Sequence, residues 1–419
     1  VCAQLAAILG DRSAYHDFLQ ARTDEVPKLL DLMQDVLDYP LLDDGIRPAI
    51  LKALLKLACR SGLRPRCFAL SDRLHLESRP VAAGSFGDVW KGRIHGETVS
   101  VKVMRVYQEA DVEALLQEFS HEALIWRQLA HPNLLPFYGA YYLEGTKSQL
   151  CLVSPWMENG HVARYLKGNP VGVNKLSLVL DVALGMEHLH SLRLVHGDLK
   201  AINVLVTRSG RAVLADFGLS SVTDSKIVTP STSTAKTGGT MRWQAPELFT
   251  GSRSMNTFAS DVYAFACVCY EIFTGTLPFH ELSDVAVIFR VIQGERPARA
   301  AGITPDVWRL MEDCWRAAPA ARPSAEQAVF RLRDRPICAL PTDAAADWDP
   351  WSTSKFRASL EEHTLFLSSG AIEDWLQVGL LRYCAILCAD FFFFLLFSLR
   401  DPKLVRCRPP SQFFLHGPL

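Results

Sequence analysis

The sequence predicts an α+β fold, with a helical segment ahead of a strand-rich part and a larger helical part. Three observations carry this. Up to about residue 70, apolar side chains recur at helical spacing. From about Leu74 the pattern changes to short strands and turns. Further on come long apolar helices, one with Leu178, Val182, Met186 and Leu189 on a single stripe and another opening at Asp261.

In the first segment Val26, Leu29, Leu30, Met33, Val36 and Leu37 follow the i, i+3, i+4, i+7 order. Thr23 or Asp24 can cap that helix, and Pro27 falls in its first turn, where a missing N–H does no harm. A second run, Ile46, Ile50, Leu54 and Leu57, stops at Ser61-Gly62 with Pro65 beyond. These helices read either as a small bundle packed on the next domain or as a module that binds a partner, and their pattern does not choose.

The strand-rich part opens with a turn, Pro80-Val81-Ala82-Ala83-Gly84-Ser85-Phe86-Gly87-Asp88-Val89. Glycines there let backbone N–H groups come close to phosphate oxygens. Thr98 to Met104 alternates as a strand, with Val99, Val101 and Val103 on one face and Ser100 and Lys102 on the other. About Asp111 to Leu129 reads as a helix holding two acidic candidates, Glu118 and Glu122. Cys151-Leu152-Val153 reads as a buried strand, followed by Ser154 and Pro155-Trp156-Met157.

The stretch His196-Gly197-Asp198-Leu199-Lys200-Ala201-Ile202-Asn203 carries the chemistry. Asp198 can accept a proton from an attacking hydroxyl. Lys200 can neutralise a transferring phosphoryl group. Asn203 offers a carbonyl oxygen to a hard cation such as Mg²⁺. Asp216-Phe217-Gly218 supplies a second metal-binding carboxylate, and Ala245-Pro246-Glu247 follows.

The order and spacing of these motifs resembles the protein kinase family, over about residues 74–336. More closely the chain is similar to the tyrosine-kinase-like serine/threonine kinases of a type common in fungi. Gly239-Thr240-Met241-Arg242-Trp243 before Ala245-Pro246-Glu247 resembles that group, and Lys200 with Thr240 favours Ser/Thr over Tyr. The resemblance implies a two-lobed fold, a small β-rich lobe and a larger helical one, with ATP and Mg²⁺ between them. It implies that Asp198 and Lys200 are catalytic and that Asn203 and Asp216 hold the metal. Ala82, Gly84, Gly87, Val89, Lys102, Glu122, Pro155, Met157 and Leu205 would line the nucleotide, with Glu122 fixing Lys102 and Glu118 as the neighbouring candidate. Asp261 would hold the backbone at His196, Thr240 would bond Lys200 and Asp198, and Arg322 would pair with Glu247. The partner implied is a protein carrying Ser or Thr, and the helical segment is a candidate site for a further partner.

Three positions depart from the family pattern. Ala82 stands for the first glycine of the turn, Ser100 for an alanine, and Gly197 for the arginine that receives an activation-loop phosphate. They suit the other class the sequence admits, a pseudokinase or scaffold that uses the fold for binding. Lys102, Glu122, Asp198, Asn203 and Asp216 are all present and favour an active enzyme.

The formal net charge of -1 argues against a nucleic-acid partner. Eleven cysteines without C-x-x-C pairs read as free thiols in a reducing cytoplasm. The chain begins at Val1, and no basic n-region precedes its apolar start, so no signal peptide is expected. The expected division is a helical segment at 1–70, a kinase domain at 74–336 and a poorly packed tail at 338–419. Arg382, Asp390 and Arg400 interrupt the tail's apolar run around Phe391–Phe397, which is shorter than the ~18 residues of a membrane span.

Overall fold

The computed structural model describes residues 2–39, 42–43, 45–65, 70, 74–83, 87–104, 123–143, 149–169, 171–216, 221–222, 241–250, 255–333, 347–348 and 356. Gly84, Glu118, Glu122, Phe217, Gly218, Thr240 and the Ser/Thr-rich stretch from Thr229 to Thr237 lie outside the described residues.

Four helices come first: α1 (Cys2–Gly10), α2 (Arg12–Leu19), α3 (Val26–Leu37) and α4 (Arg47–Ser61). α3 begins after Glu25 with no side-chain cap, and Pro27 occupies its first turn. Neither Thr23 nor Asp24 caps it; the Asp24 carboxylate pairs with Arg22 at 3.3 Å instead. α4 stops where Gly62 turns left-handed at φ 68, a conformation that favours glycine. α3 is buried on more than one side. The expected stripe is inside, but so are Asp31, Leu32 and Gln34. A helix buried beyond its apolar stripe has a second neighbour. One neighbour is α4; the other is the helix at residues 123–127, here α5.

The strand-rich part is an antiparallel sheet of β1 (His75–Leu76), β2 (Ala82–Ala83), β3 (Gly87–Ile94), β4 (Glu97–Met104), β5 (Gly139–Leu143) and β6 (Gln149–Pro155). Its order is β1-β3-β4-β6-β5, with β2 also on β3. His95 and Gly96, both at positive φ, make the two-residue turn between β3 and β4. Val99, Val101 and Val103 of β4 pack with Ile94, Cys151 and Val153, as the alternation requires. Phe356 lies in the same cluster, stacked on Tyr138 with ring centroids 3.8 Å apart. Nearby in the chain, Asp347 accepts hydrogen bonds from the Ser209 N–H and hydroxyl, and Trp348 Nε1 donates to the His131 carbonyl at 3.3 Å. Part of the segment expected to pack poorly is therefore seated on the rest of the chain.

The helical part holds α6 (Val162–Gly168), α7 (Lys175–Ser191), α8 (Glu247–Thr250), α9 (Phe258–Thr274), α10 (Asp284–Ile292), α11 (Pro305–Cys314) and α12 (Ala325–Arg333). On α7 the stripe Leu178, Val182, Met186 and Leu189 is fully buried. α9 is buried from Ser260 to Ile272 and starts with a reciprocal cap between Thr257 and Ser260. Ser324 and Gln327 cap α12 in the same way, at 3.0 and 3.1 Å. Short strands β7 (Leu194–Val195), β8 (Val204–Val206), β9 (Ala212–Leu214) and β10 (Ser221–Val222) flank the central stretch.

Backbone bonds join the two parts. Leu135 N–H donates to the Leu214 carbonyl and Leu214 N–H to the Asn133 carbonyl, each at 2.9 Å. The Asn133 side chain adds a bond to the Ala212 carbonyl at 2.9 Å. Among the described residues no helix is long and apolar enough to cross a membrane.

Candidate active site

His196 to Asn203 leaves β7 and ends in a single 3-10 turn at Ala201–Asn203. Asp261, at the start of α9, fixes its entry: its carboxylate accepts the His196 N–H at 2.7 Å and the Gly197 N–H at 2.9 Å, with His190 Nε2 at 3.0 Å. Gly197 sits at φ 77, where a side chain would be strained, and its carbonyl accepts from Asn256 at 3.1 Å. Burial lowers the His196 imidazole from its ordinary range, against the pull of Asp261, Asp198 and Asp216.

Asp198, Lys200 and Asn203 meet. Lys200 Nζ stands 2.7 Å from Asp198 Oδ2, and Asn203 Nδ2 donates to the same oxygen at 3.0 Å and to the Asp198 carbonyl at 2.8 Å. Oδ2 is thereby locked. Oδ1 is buried and has no hydrogen-bond partner among the described residues. A buried acceptor without a donor costs about 1–3 kcal/mol, so Oδ1 is a position where a further donor belongs.

Asp216 lies beyond β9, at φ 63, a left-handed backbone unusual for a residue with a side chain. Its carboxylate pairs with Lys102 of β4. Burial among protein atoms would raise the Asp216 carboxyl, but Lys102 and then Lys200 outweigh it and hold the group below the usual carboxylate range. The side chain is nonetheless 45% exposed. Asn203 is tied to this carboxylate's strand: its carbonyl accepts the Ala215 N–H at 2.9 Å.

Around this centre the sheet register places Val89 opposite Lys102 and Ala82 opposite Val89. Gly87 starts β3 beside them. Ser100 faces Ser154 across β4 and β6. Trp156 N–H donates to the Thr98 carbonyl, so Val99 and Pro155 form a non-hydrogen-bonded pair and the missing proline N–H takes nothing from the ladder. Met157 is buried, and its carbonyl is taken by the Gly160 N–H at 3.0 Å. Leu205 of β8 is half-buried and bridges to His161.

Asp198, Lys200, Asn203, Asp216 and Lys102 thus converge, with Val89 and Ala82 aligned beside them. An ATP-bound Mg²⁺ fits this set. Asn203 makes its bonds through the amide nitrogen, which leaves the carbonyl oxygen for a cation, and Asp216 is held ionised. Two protein ligands suit Mg²⁺, which keeps waters and phosphate oxygens for the rest of its octahedron. Among the described residues no cluster of three or more His, Cys, Asp or Glu side chains competes for a metal.

Outside the motifs, Glu271 of α9 is a residue the sequence did not mark. Its carboxylate accepts the Trp243 indole N–H at 2.6 Å and the Ala201 N–H at 3.1 Å, joining the central stretch to the segment before α8. Burial pushes it up to about 7, against those two bonds. Arg322, whose side chain is fully buried, makes a bidentate pair with Glu247 at 2.7 Å and also donates to the Ala259, Arg316 and Ala317 carbonyls. Tyr263 lies between the Arg322 and Arg296 guanidiniums, at 5.2 and 5.1 Å.

Residues 76–332 match the family described as protein tyrosine and serine/threonine kinase. Serine/threonine-protein kinase STY17 of Arabidopsis thaliana is 33% identical over 267 residues, which are 62% of this chain and 44% of that protein. Serine/threonine/tyrosine-protein kinase HT1 of the same plant is 31% identical over 264 residues, 61% of this chain and 65% of that protein. RGS domain-containing serine/threonine-protein kinase A of Dictyostelium discoideum is 31% identical over 255 residues, 60% of this chain and 22% of that protein. The chain thus spans less than two thirds of each of these relatives. With the matched residues covering more than half of it, the chain belongs to the protein tyrosine and serine/threonine kinase family.

Proposed function

We propose that the chain transfers the γ-phosphoryl group of ATP to Ser or Thr hydroxyls of a protein substrate. The observation that carries this is the divided carboxylate of Asp198, one oxygen locked by Lys200 and Asn203 and the other buried and, among the described residues, unpartnered. That free oxygen is the acceptor for the proton of an attacking hydroxyl. Lys200, already beside Asp198, neutralises charge as the phosphoryl group moves. Asn203 and Asp216 hold the cation, and Lys102 orients the phosphates. Mg·ATP supplies the phosphoryl group and screens its charge when bound. Ala82, Gly84, Gly87, Val89, Pro155, Met157 and Leu205 line the nucleotide, and Glu122 steadies Lys102. The names of STY17 and of the RGS domain-containing kinase, both serine/threonine-protein kinases, support Ser and Thr as the acceptors. The net charge of -1 fits a protein rather than a nucleic acid as partner, and the buried free thiols of Cys151, Cys267, Cys269 and Cys314 suit the cytoplasm.

The test is transfer of labelled γ-phosphate from Mg·ATP to a Ser/Thr peptide library by the full chain. Asp216→Asn and Lys102→Met are each expected to lower turnover at least a hundredfold, about 2.7 kcal/mol of barrier. Wild-type turnover in either variant overturns the assignment. A folded wild-type chain that transfers nothing supports the binding-scaffold alternative.

A further inference from the structure

The N-terminal helices meet the kinase part through a buried polar cluster. Asp38, at the C-terminal end of α3, takes the Arg127 guanidinium at 2.6 Å, and the Arg127 side chain is only 7% exposed. Gln34, fully buried, donates to Asp38 at 2.9 Å and accepts from Gln128 at 2.8 Å. A buried ion pair is weak evidence for stability, because desolvation offsets much of the attraction, but it fixes geometry sharply.

What Arg127 and Gln128 belong to gives the cluster its reach. Next to them on α5, Trp126 donates through Nε1 to the Leu135 carbonyl at 2.6 Å. Leu135 and Asn133 are bonded in turn to Leu214 and Ala212 of β9. Two residues beyond Leu214 is Asp216, and Ala215 between them is bonded to Asn203. An unbroken run of hydrogen bonds and packed backbone therefore leads from α3 to both candidate metal-holding residues. Gly185 of α7 closes it from behind, since a Cβ there would meet the Asn133 carbonyl at 2.8 Å.

We propose that Gln34 and Asp38 are positioning residues for phosphoryl transfer. The α3 helix holds α5, and through the 131–135 loop and β9 it sets where Asp216 and Asn203 stand. The N-terminal helices are thus a built-in subunit of the active site, and the partner they bind is the kinase part of their own chain. This rests on the kinase reading for its catalytic half, and on geometry alone for its docking half.

The test is a charge-swap cycle in the full chain: Asp38→Arg, Arg127→Asp and the two together. Each single variant is expected to lower kcat by about tenfold and to weaken the apparent Mg²⁺ affinity, with KM for the peptide library within about threefold of wild type. These sizes lie within the usual range of coupling between sites. The double variant, with the pair restored in reverse, is expected to return both to within about threefold of wild type. In parallel, hydrogen exchange at Leu214 and Ala215 is expected to quicken about tenfold in each single variant and to slow again in the double. Loss through mere unfolding would raise exchange across all elements rather than along this path. Unchanged kcat and exchange in the single variants, or a double variant as impaired as the singles, overturns the proposal. If the wild-type chain transfers no phosphate, the catalytic half falls with the kinase reading and the exchange pattern alone decides the docking half. Should Arg127→Asp fail to fold, Asp38→Asn with Gln34→Ala is read by the same two measurements.

Discussion

At the level of single residues, Glu271 makes a pH-dependent contribution with a definite sign. Its carboxyl rises from 4.5 to about 7 on folding, first because it is buried. The folded state then binds more protons than the unfolded one between these values, so stability is full below pH 4.5 and is lost as pH rises through about 7. The loss amounts to about 3 kcal/mol. Glu271→Gln is expected to flatten that slope, which urea midpoints at two pH values on either side of the window would show; equal slopes would rule the assignment out. Asp198, Lys200 and Asn203 were readable in sequence because all three act from one short loop, where spacing alone dictates that they meet. Glu271 was not, because its partners Ala201 and Trp243 are remote in the chain and a glutamate on a buried helix has no local signature. The same holds for Asp216 with Lys102, a pair made only when β4 and β9 come together.

Among the elements, α7 and the Ser/Thr-rich stretch from Thr229 to Thr237, by position the activation segment that the kinase resemblance implies, yield separate expectations. Gly185→Ala should destabilise the chain by roughly 1–3 kcal/mol, since the carbonyl it would strike is backbone and cannot rotate away. The helix-propensity gain of about 1 kcal/mol offsets only part of this. A thermal melt that is unchanged or raised would show that the 131–135 loop yields instead. For the activation segment, Gly197 carries no side chain to receive a phosphate, and Arg242 cannot substitute. Its guanidinium is engaged by the Pro278, Phe279 and Leu282 carbonyls and by Asp284 of α10 at 2.8 Å. Alanine at Thr229, Ser231, Thr232, Ser233, Thr234 and Thr237 together should therefore change turnover by less than about tenfold. A hundredfold loss, recovered by Asp or Glu at one of them, would mean that another cation does the receiving. Helix stripes such as Leu178, Val182, Met186 and Leu189 were legible because they recur at each turn. The start of α3 was misread because its N-cap position falls on Glu25, just past Thr23 and Asp24, and periodicity fixes a boundary no more finely than that.

Taken as a whole, the molecule is less divisible than its sequence suggests. A break near residue 70 looks natural where helical spacing gives way to alternation, yet α3 is buried against α5 as well as α4. Removing residues 1–65 should lower the melting temperature by several degrees, at about 2–4 °C per kcal/mol for a part of this size. An unchanged melt would show that the contact adds no stability. The seat of Phe356 on Tyr138 has a consequence for how the chain is made. About 200 residues separate Pro155, the last residue of the sheet, from Phe356. At about 5–20 residues per second, a ribosome completes the sheet roughly 10–40 s before the ring that covers it emerges. For that interval the nascent sheet carries an open apolar slot beside Tyr138, and a chain stalled between the two points presents it to chaperones for as long as the stall lasts.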